Sequence, residues 1–121
     1  MRKLTTMLRS TALWMILLPV TFQVAGTLSN QVVLFANHGT FPVQLSPKRQ
    51  WKWDVDKNGM IDKEHVVMTS HTHLNLMADV FDFGGEGIES IGDLSIDLSD
   101  YLWGFVPFVW GYEVSRRLLK A

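Results

Sequence analysis

A chain of 121 residues with 11 Lys+Arg against 12 Asp+Glu holds one small domain at most and has no overall basic field to draw nucleic acid. It contains no cysteine, which excludes a disulfide framework and thiol chemistry. The charges are segregated: Arg2, Lys3 and Arg9 stand alone at the start, and Arg116, Arg117 and Lys120 at the end. Basic flanks of this kind stay in the cytoplasm when the stretches between them enter a membrane.

The first element begins after the basic residues 1–9. From Ser10 to Asn37 there are 28 residues without a charge, whereas about 20 suffice to cross the hydrocarbon core. Residues 10–36 therefore read as a transmembrane helix, kinked at Pro19. Gln23, Asn30 and Gln31 fall near one side, turned toward a partner helix. The alternatives are a signal peptide over residues 1–26, with Val24 and Gly26 as the small residues before the cut, and a buried helix of a soluble protein.

Residues 37–92 read as an extramembrane loop and β region. Gly39 supplies a turn, Pro42 and Pro47 discourage helix before them, and Ser46 with Pro47 opens a short helix over PKRQWKW. Trp51 and Trp53, set among Lys and Arg, suit a headgroup region or a small core. The stretch DVDKNGMIDKEH then places Asp54, Asp56, Asn58, the Met60 carbonyl and Asp62 where an EF-hand loop presents oxygen ligands, with Gly59 at its turn. This is a candidate calcium site, although His65 stands where the loop wants a bidentate Glu. The competing reading is a hairpin whose Asn58-Gly59 pair makes a type I′ turn. The stretch EHVVMTSHTHLNL alternates like a strand, which puts His65, His71 and His73 on one face, either solvated or gathered around zinc or copper. MADVFDF is a further short apolar piece, and the glycine-rich residues 84–87 form a turn.

Residues 93–115 read as a membrane or interfacial helix, followed by a basic cytoplasmic end at 116–121. The uncharged run from Tyr101 to Tyr112 is 12 residues, short of a full crossing. Gly104, Pro107 and Gly111 admit a re-entrant segment, and a buried aromatic core helix is the soluble alternative. Tyr101, Trp103, Trp110 and Tyr112 sit where aromatic belts fall. With both termini cytoplasmic, the middle of the chain faces the other side. There, residues 37–92 hold five Lys+Arg against eight Asp+Glu.

Three pieces in order, LFANHGTFPV, HTHLNLMADVFDF and SIGDLSIDL, resemble a family of small bacterial membrane proteins known only as a domain of unknown function. The resemblance implies an apolar helix running into a turn at Asn37, Gly39, Pro42 and Val43. It implies next a segment marked by Thr72, Leu74 and Asp79, and then Ser90, Gly92 and Asp93 opening a last membrane helix. It favours a retained anchor over a cleaved signal and brings no activity with it.

The expected fold is a small membrane protein, mainly α, with an N-terminal transmembrane helix, a short β/loop extramembrane region and a C-terminal transmembrane or re-entrant helix. No Ser-His-Asp order, phosphate loop or HExxH signature is present, so the expected role is non-enzymatic. The first expectation is an assembly partner or regulator in a membrane complex, with the lipid bilayer and other membrane subunits as partners and no nucleic acid. The alternatives are a secreted or tethered calcium-binding module and a holin-like pore-forming protein.

Overall fold

The computed structural model describes residues 2–50, 52–84 and 87–120, with side chains from Leu13 onward. It is mainly helical. The elements run α1 (Arg2–Ala36), β1 (Phe41–Val43), α2 (Pro47–Gln50), β2 (His65–Val67), a 3₁₀ turn (Asn75–Met77) and α3 (Ile91–Leu118). Contacts divide the chain into two units, Met1–Val24 with Ser95–Ala121 and Ala25–Leu94.

In the unit Ala25–Leu94, the end of α1 is set by local chemistry. The Gly39 N–H donates to the Leu34 carbonyl at 2.8 Å and the His38 N–H to the Phe35 carbonyl at 3.4 Å. These are the paired bonds of a Schellman stop. His38 takes the left-handed position at φ 56 and Gly39 follows at φ 88. The chain then enters β1, which pairs parallel with β2 in the register Phe41↔His65, Pro42↔Val66 and Val43↔Val67. On its other side Val43 bridges Asp79, with the Asp79 N–H on the Pro42 carbonyl at 3.1 Å and the Gln44 N–H on the Asp79 carbonyl at 2.8 Å. Proline fits this strand because its carbonyl, not its missing N–H, makes the needed bond. Val33, Phe41 and Ala78 form a small apolar core under Leu34, Met68 and Met77.

Several sequence expectations change here. The strand predicted over 64–76 is only His65–Val67; Leu74 turns the chain with φ 57 into the 3₁₀ turn. The 54–65 hairpin turns differently from type I′, which requires positive φ at both central residues. Gly59 is left-handed (φ 82) and Asn58 is not. The Gly59 N–H closes on the Asp56 carbonyl at 3.0 Å and the Asp56 N–H on the Met60 carbonyl at 2.9 Å, a three-residue loop with glycine in the bulge position. The helix at Pro47 stops after four residues. Trp51 and part of the 84–87 turn lie outside the described residues, while Trp53 is half-buried.

In the unit Met1–Val24 with Ser95–Ala121, α1 and α3 run antiparallel. The Ser95 hydroxyl donates to the Phe22 carbonyl at 2.8 Å and the buried Ser99 hydroxyl to the Pro19 carbonyl at 2.8 Å. Pro19 is fully buried. Small residues at Ser95 and Ser99, one turn apart, let the backbones approach, and each hydroxyl reaches a carbonyl of the other helix. Pro107 lies inside α3 without ending it.

One helix among the described residues is long and apolar enough to cross a membrane, Leu13–Ala36, 24 residues. Much of its apolar surface is uncovered, as is that of α3, where Phe105 is 65% and Phe108 77% exposed.

The Schellman stop gives a direct expectation. An L-residue in the left-handed region costs about 1–2 kcal/mol that glycine avoids. His38→Gly should raise unfolding stability by about 1 kcal/mol, measured by thermal melting in detergent micelles; a lower midpoint would contradict the assigned stop.

Candidate functional site

The polar side chains of the unit Ala25–Leu94 converge where α3 begins. Ser90 precedes the first helical residue and acts as N-cap: the Asp93 N–H donates to the Ser90 hydroxyl at 3.0 Å, and the Ser90 N–H donates to Asp93 Oδ2 at 3.0 Å. This reciprocal pair satisfies two otherwise orphaned amides. The carboxylate also sits favourably at the positive end of the helix dipole. The Ser90 hydroxyl, fully buried, lies 2.7 Å from Asp93 Oδ2 and 2.9 Å from Asn30 Oδ1. The Asn30 amide closes the cycle by donating to Asp93 Oδ1 at 2.7 Å. Asn30, from α1, therefore reads both members of the cap.

Gly92 makes that approach possible. A β-carbon there would lie 1.9 Å from Asn30 Oδ1, 2.6 Å from its Cγ and 2.8 Å from the Gly26 carbonyl oxygen. The last of these is backbone and cannot swing aside.

Asp79 lies against the same region. It is 7% exposed, and its Oδ1 is buried without a hydrogen-bond partner. Burial, then the charge of Asp93, push its carboxyl from 3.8 up to about 7, with Glu89 adding to the rise and His65 opposing it. Desolvation favours the neutral acid, and a like charge nearby adds to it.

Two further contacts fix the loops. Asn37 accepts the His73 N–H at 2.7 Å and donates to the His73 carbonyl at 2.8 Å and the Val33 carbonyl at 2.9 Å. Every polar atom of this buried amide is used, so it clamps the 73 loop to the end of α1. Arg49 is buried and grips Asp82 with two nitrogens, its Nε donating to Oδ2 at 2.8 Å. The guanidinium, with help from the Gly84 N–H, holds the Asp82 carboxyl below the usual range. That fork geometry is specific to arginine.

The predicted calcium ligands are not gathered. Asp56 Oδ1 accepts the Asn58 N–H at 2.7 Å and the Met60 N–H at 2.9 Å. Asp62 Oδ1 accepts the Glu64 and His65 N–H groups, each at 2.8 Å, and meets the His65 ring. The Glu64 N–H foremost holds the Asp62 carboxyl below its ordinary value. These carboxylates are thus turn-makers for their own loop, and the Met60 carbonyl is taken by Asp56. Asp54 and Asn58 stay exposed. His71 and His73 sit in bends rather than on a strand with His65. Among the described residues no group of three or more His, Asp or Glu side chains could hold a metal ion.

Asn37, Gly39, Pro42, Asp79, Ser90, Gly92 and Asp93 all have specific structural work in this region, and they are among the residues on which the family resemblance rests, with Val43, Thr72 and Leu74. Residues 7–103, about 80% of the chain, match the family of unknown function DUF5317. The chain belongs to this family. Comparison with curated proteins and with solved structures found no match. The DUF5317 region covers Asn30 and the whole capping cluster, and it ends at Trp103 within α3. Asn30, Arg49 and Asp82 also make specific contacts here. For Asn30 the sequence signal was a polar residue inside an apolar helix; Arg49 and Asp82 carried no local signal of their pairing.

Two outcomes test the cluster. Gly92→Ala should destabilise the fold by at least about 1–3 kcal/mol through overpacking, seen as a lowered thermal midpoint in detergent; an unchanged midpoint would contradict the contact. For Asp79 the folded state holds a proton that the unfolded chain releases above 3.8. Stability should therefore fall as pH rises from about 4 to 7 and level off above. Asp79→Asn should flatten that slope and raise the melting midpoint at pH 8 relative to the unaltered chain.

Proposed function

We propose that this protein is a small integral membrane protein with a non-enzymatic role, an assembly partner or regulator within a membrane complex. The observation that carries this reading is the uncovered apolar surface of α1 and α3. Leu13, Trp14, Leu18 and Val24 on α1 and Tyr101, Phe105, Phe108 and Trp110 on α3 are exposed. A monomeric soluble protein rarely shows contiguous apolar surface of this extent to water. Leu13–Ala36 would run about 36 Å as a helix, enough for the roughly 30 Å hydrocarbon core. The uncharged part of α3, Tyr101 to Tyr112, rises only about 18 Å, so α3 enters the bilayer beside α1 rather than spanning it alone. Ser95 and Ser99 bonded to α1 carbonyls suit such a helix pair, because small residues and hydroxyls hold helices together in lipid.

The basic ends favour both termini in the cytoplasm, with the middle of the chain on the opposite side. A retained N-terminal helix fits the contacts better than a cleaved signal. Cutting after Gly26 would remove Pro19 and Phe22, the acceptors for Ser99 and Ser95.

Membranes from cells expressing a C-terminally tagged chain, washed in alkaline carbonate, should retain the protein in the pellet. Mass spectrometry should find residues 1–26 intact. Release into the supernatant would overturn membrane insertion, and a mature N-terminus at Thr27 would overturn the anchor.

A further inference from the structure

α3 carries a groove of about 550 Å³ lined by Asp97, Asp100, Tyr101, Gly104, Phe105 and Phe108. At 100° per residue these positions lie away from the edge on which Ser95 and Ser99 meet α1. The groove is therefore the open side of the helix. Its wall is aromatic, and Gly104 allows another backbone to come close.

The two carboxylates at one end set what can fill it. Asp97 and Asp100 have no hydrogen bond or ion pair among the described residues. They lie next to Ser95 and Ser99, which are bonded to Phe22 and Pro19. Pro19 is ten residues from Arg9, the nearest charge before it on α1, which is about 15 Å of helix. On the membrane-spanning reading proposed above, on which this inference rests, both acids are therefore level with hydrocarbon. Acidic side chains at that depth face a protein interior and pair with an opposite charge.

This chain cannot supply that charge from its own helices. No Lys or Arg lies between Arg9 and Lys48, or between Lys63 and Arg116. In a second copy packed parallel, Arg9 would fall ten residues, about 15 Å, from the level of Pro19. We propose that this groove is the docking site for a transmembrane helix of a different protein, one that carries a Lys or Arg within its apolar span. The cation sits between Asp97 and Asp100, and the apolar face of the partner helix packs on Tyr101, Phe105 and Phe108.

The test uses the full chain, labelled with a donor dye at Ser70→Cys, in phosphatidylcholine/phosphatidylglycerol vesicles. The probes are two acceptor-labelled leucine-rich transmembrane peptides. One has a single Lys six residues from its cytoplasmic apolar end and the other has Leu there. The Lys peptide should reach half-maximal energy transfer at a membrane density at least tenfold lower than the Leu peptide. In the Asp97→Asn/Asp100→Asn chain that advantage should vanish. Equal transfer for both peptides would overturn the proposal, as would an advantage that survives the double substitution. Should the double variant fail to insert, the comparison of the two peptides on the unaltered acids still decides. Carbonate washing of the same vesicles separates the failures. A chain that is released overturns the membrane reading and the inference with it, whereas a retained chain without a Lys preference overturns the inference alone.

Discussion

The backbone of Gly92 lies so near Asn30 and Gly26 that no side chain fits between them. This one close approach determines much of what surrounds it. With Gly92 against α1, Ser90 and Asp93 reach the Asn30 amide, and the first turn of α3 is capped by its own residues and by α1 at once. An uncapped helix start in this place would leave buried N–H groups without partners. The same region buries Asp79 beside Asp93, so its carboxyl keeps a proton up to near neutral pH. The loops fasten to the end of α1 through Asn37 and to each other through Arg49 and Asp82. A chain without disulfides thus fixes its irregular middle with a few fully used polar side chains and a small core around Val33 and Phe41.

How far the sequence foretells this depends on the range of the interaction. Signals acting within a few residues were legible. The long uncharged run gave α1, Gly39 marked the turn after it, and Ser46 with Pro47 opened a short helix; the start of α3 at Ser90 to Asp93 came from the family resemblance, whereas the residues alone placed it at 93. Pro107 and Gly104 admitted a break in α3, yet the helix runs unbroken through both. The strand expected through His71 and His73 is lost to a long-range contact. Asn37 pulls the His73 backbone out of any extended ladder, a contact 36 residues apart in sequence. The Asp-rich loop shows the limit of motif reading. Asp56 and Asp62 stand at ligand spacing, yet one oxygen of each accepts the loop's own N–H groups, and spacing alone does not distinguish the two uses. The polar side of α1 turns Asn30 toward a helix, and it does meet the start of α3. That Asp79 would be buried without a hydrogen-bond donor was not legible at all.

The apolar surfaces and the acidic residues of α3 belong together in the functional reading. A helix that shows aromatic rings on its open side and carboxylates at the same level is costly to leave in water and also costly to leave in lipid unpaired. On the function proposed above a bilayer answers the first problem, and on the proposed docking a basic partner helix answers the second. The small residues Ser95 and Ser99 answer neither; they hold α3 to α1 and leave its other side free. This division of one helix into a side used within the chain and a side left open is what an assembly subunit requires. At the start of α3 the side chains of Ser90, Asn30 and Asp93 are bonded to one another.

The absence of cysteine makes the central claim directly measurable by single-cysteine labelling. Cysteine is introduced in turn at Lys57 in the exposed loop, at Leu17 on α1 and at Phe108 on α3. Intact cells expressing each variant are treated with a membrane-impermeant maleimide. Membrane insertion with the loop outside predicts that position 57 labels readily, while positions 17 and 108 label only after detergent. Labelling at 17 and 108 as fast as at 57 without detergent would contradict the account.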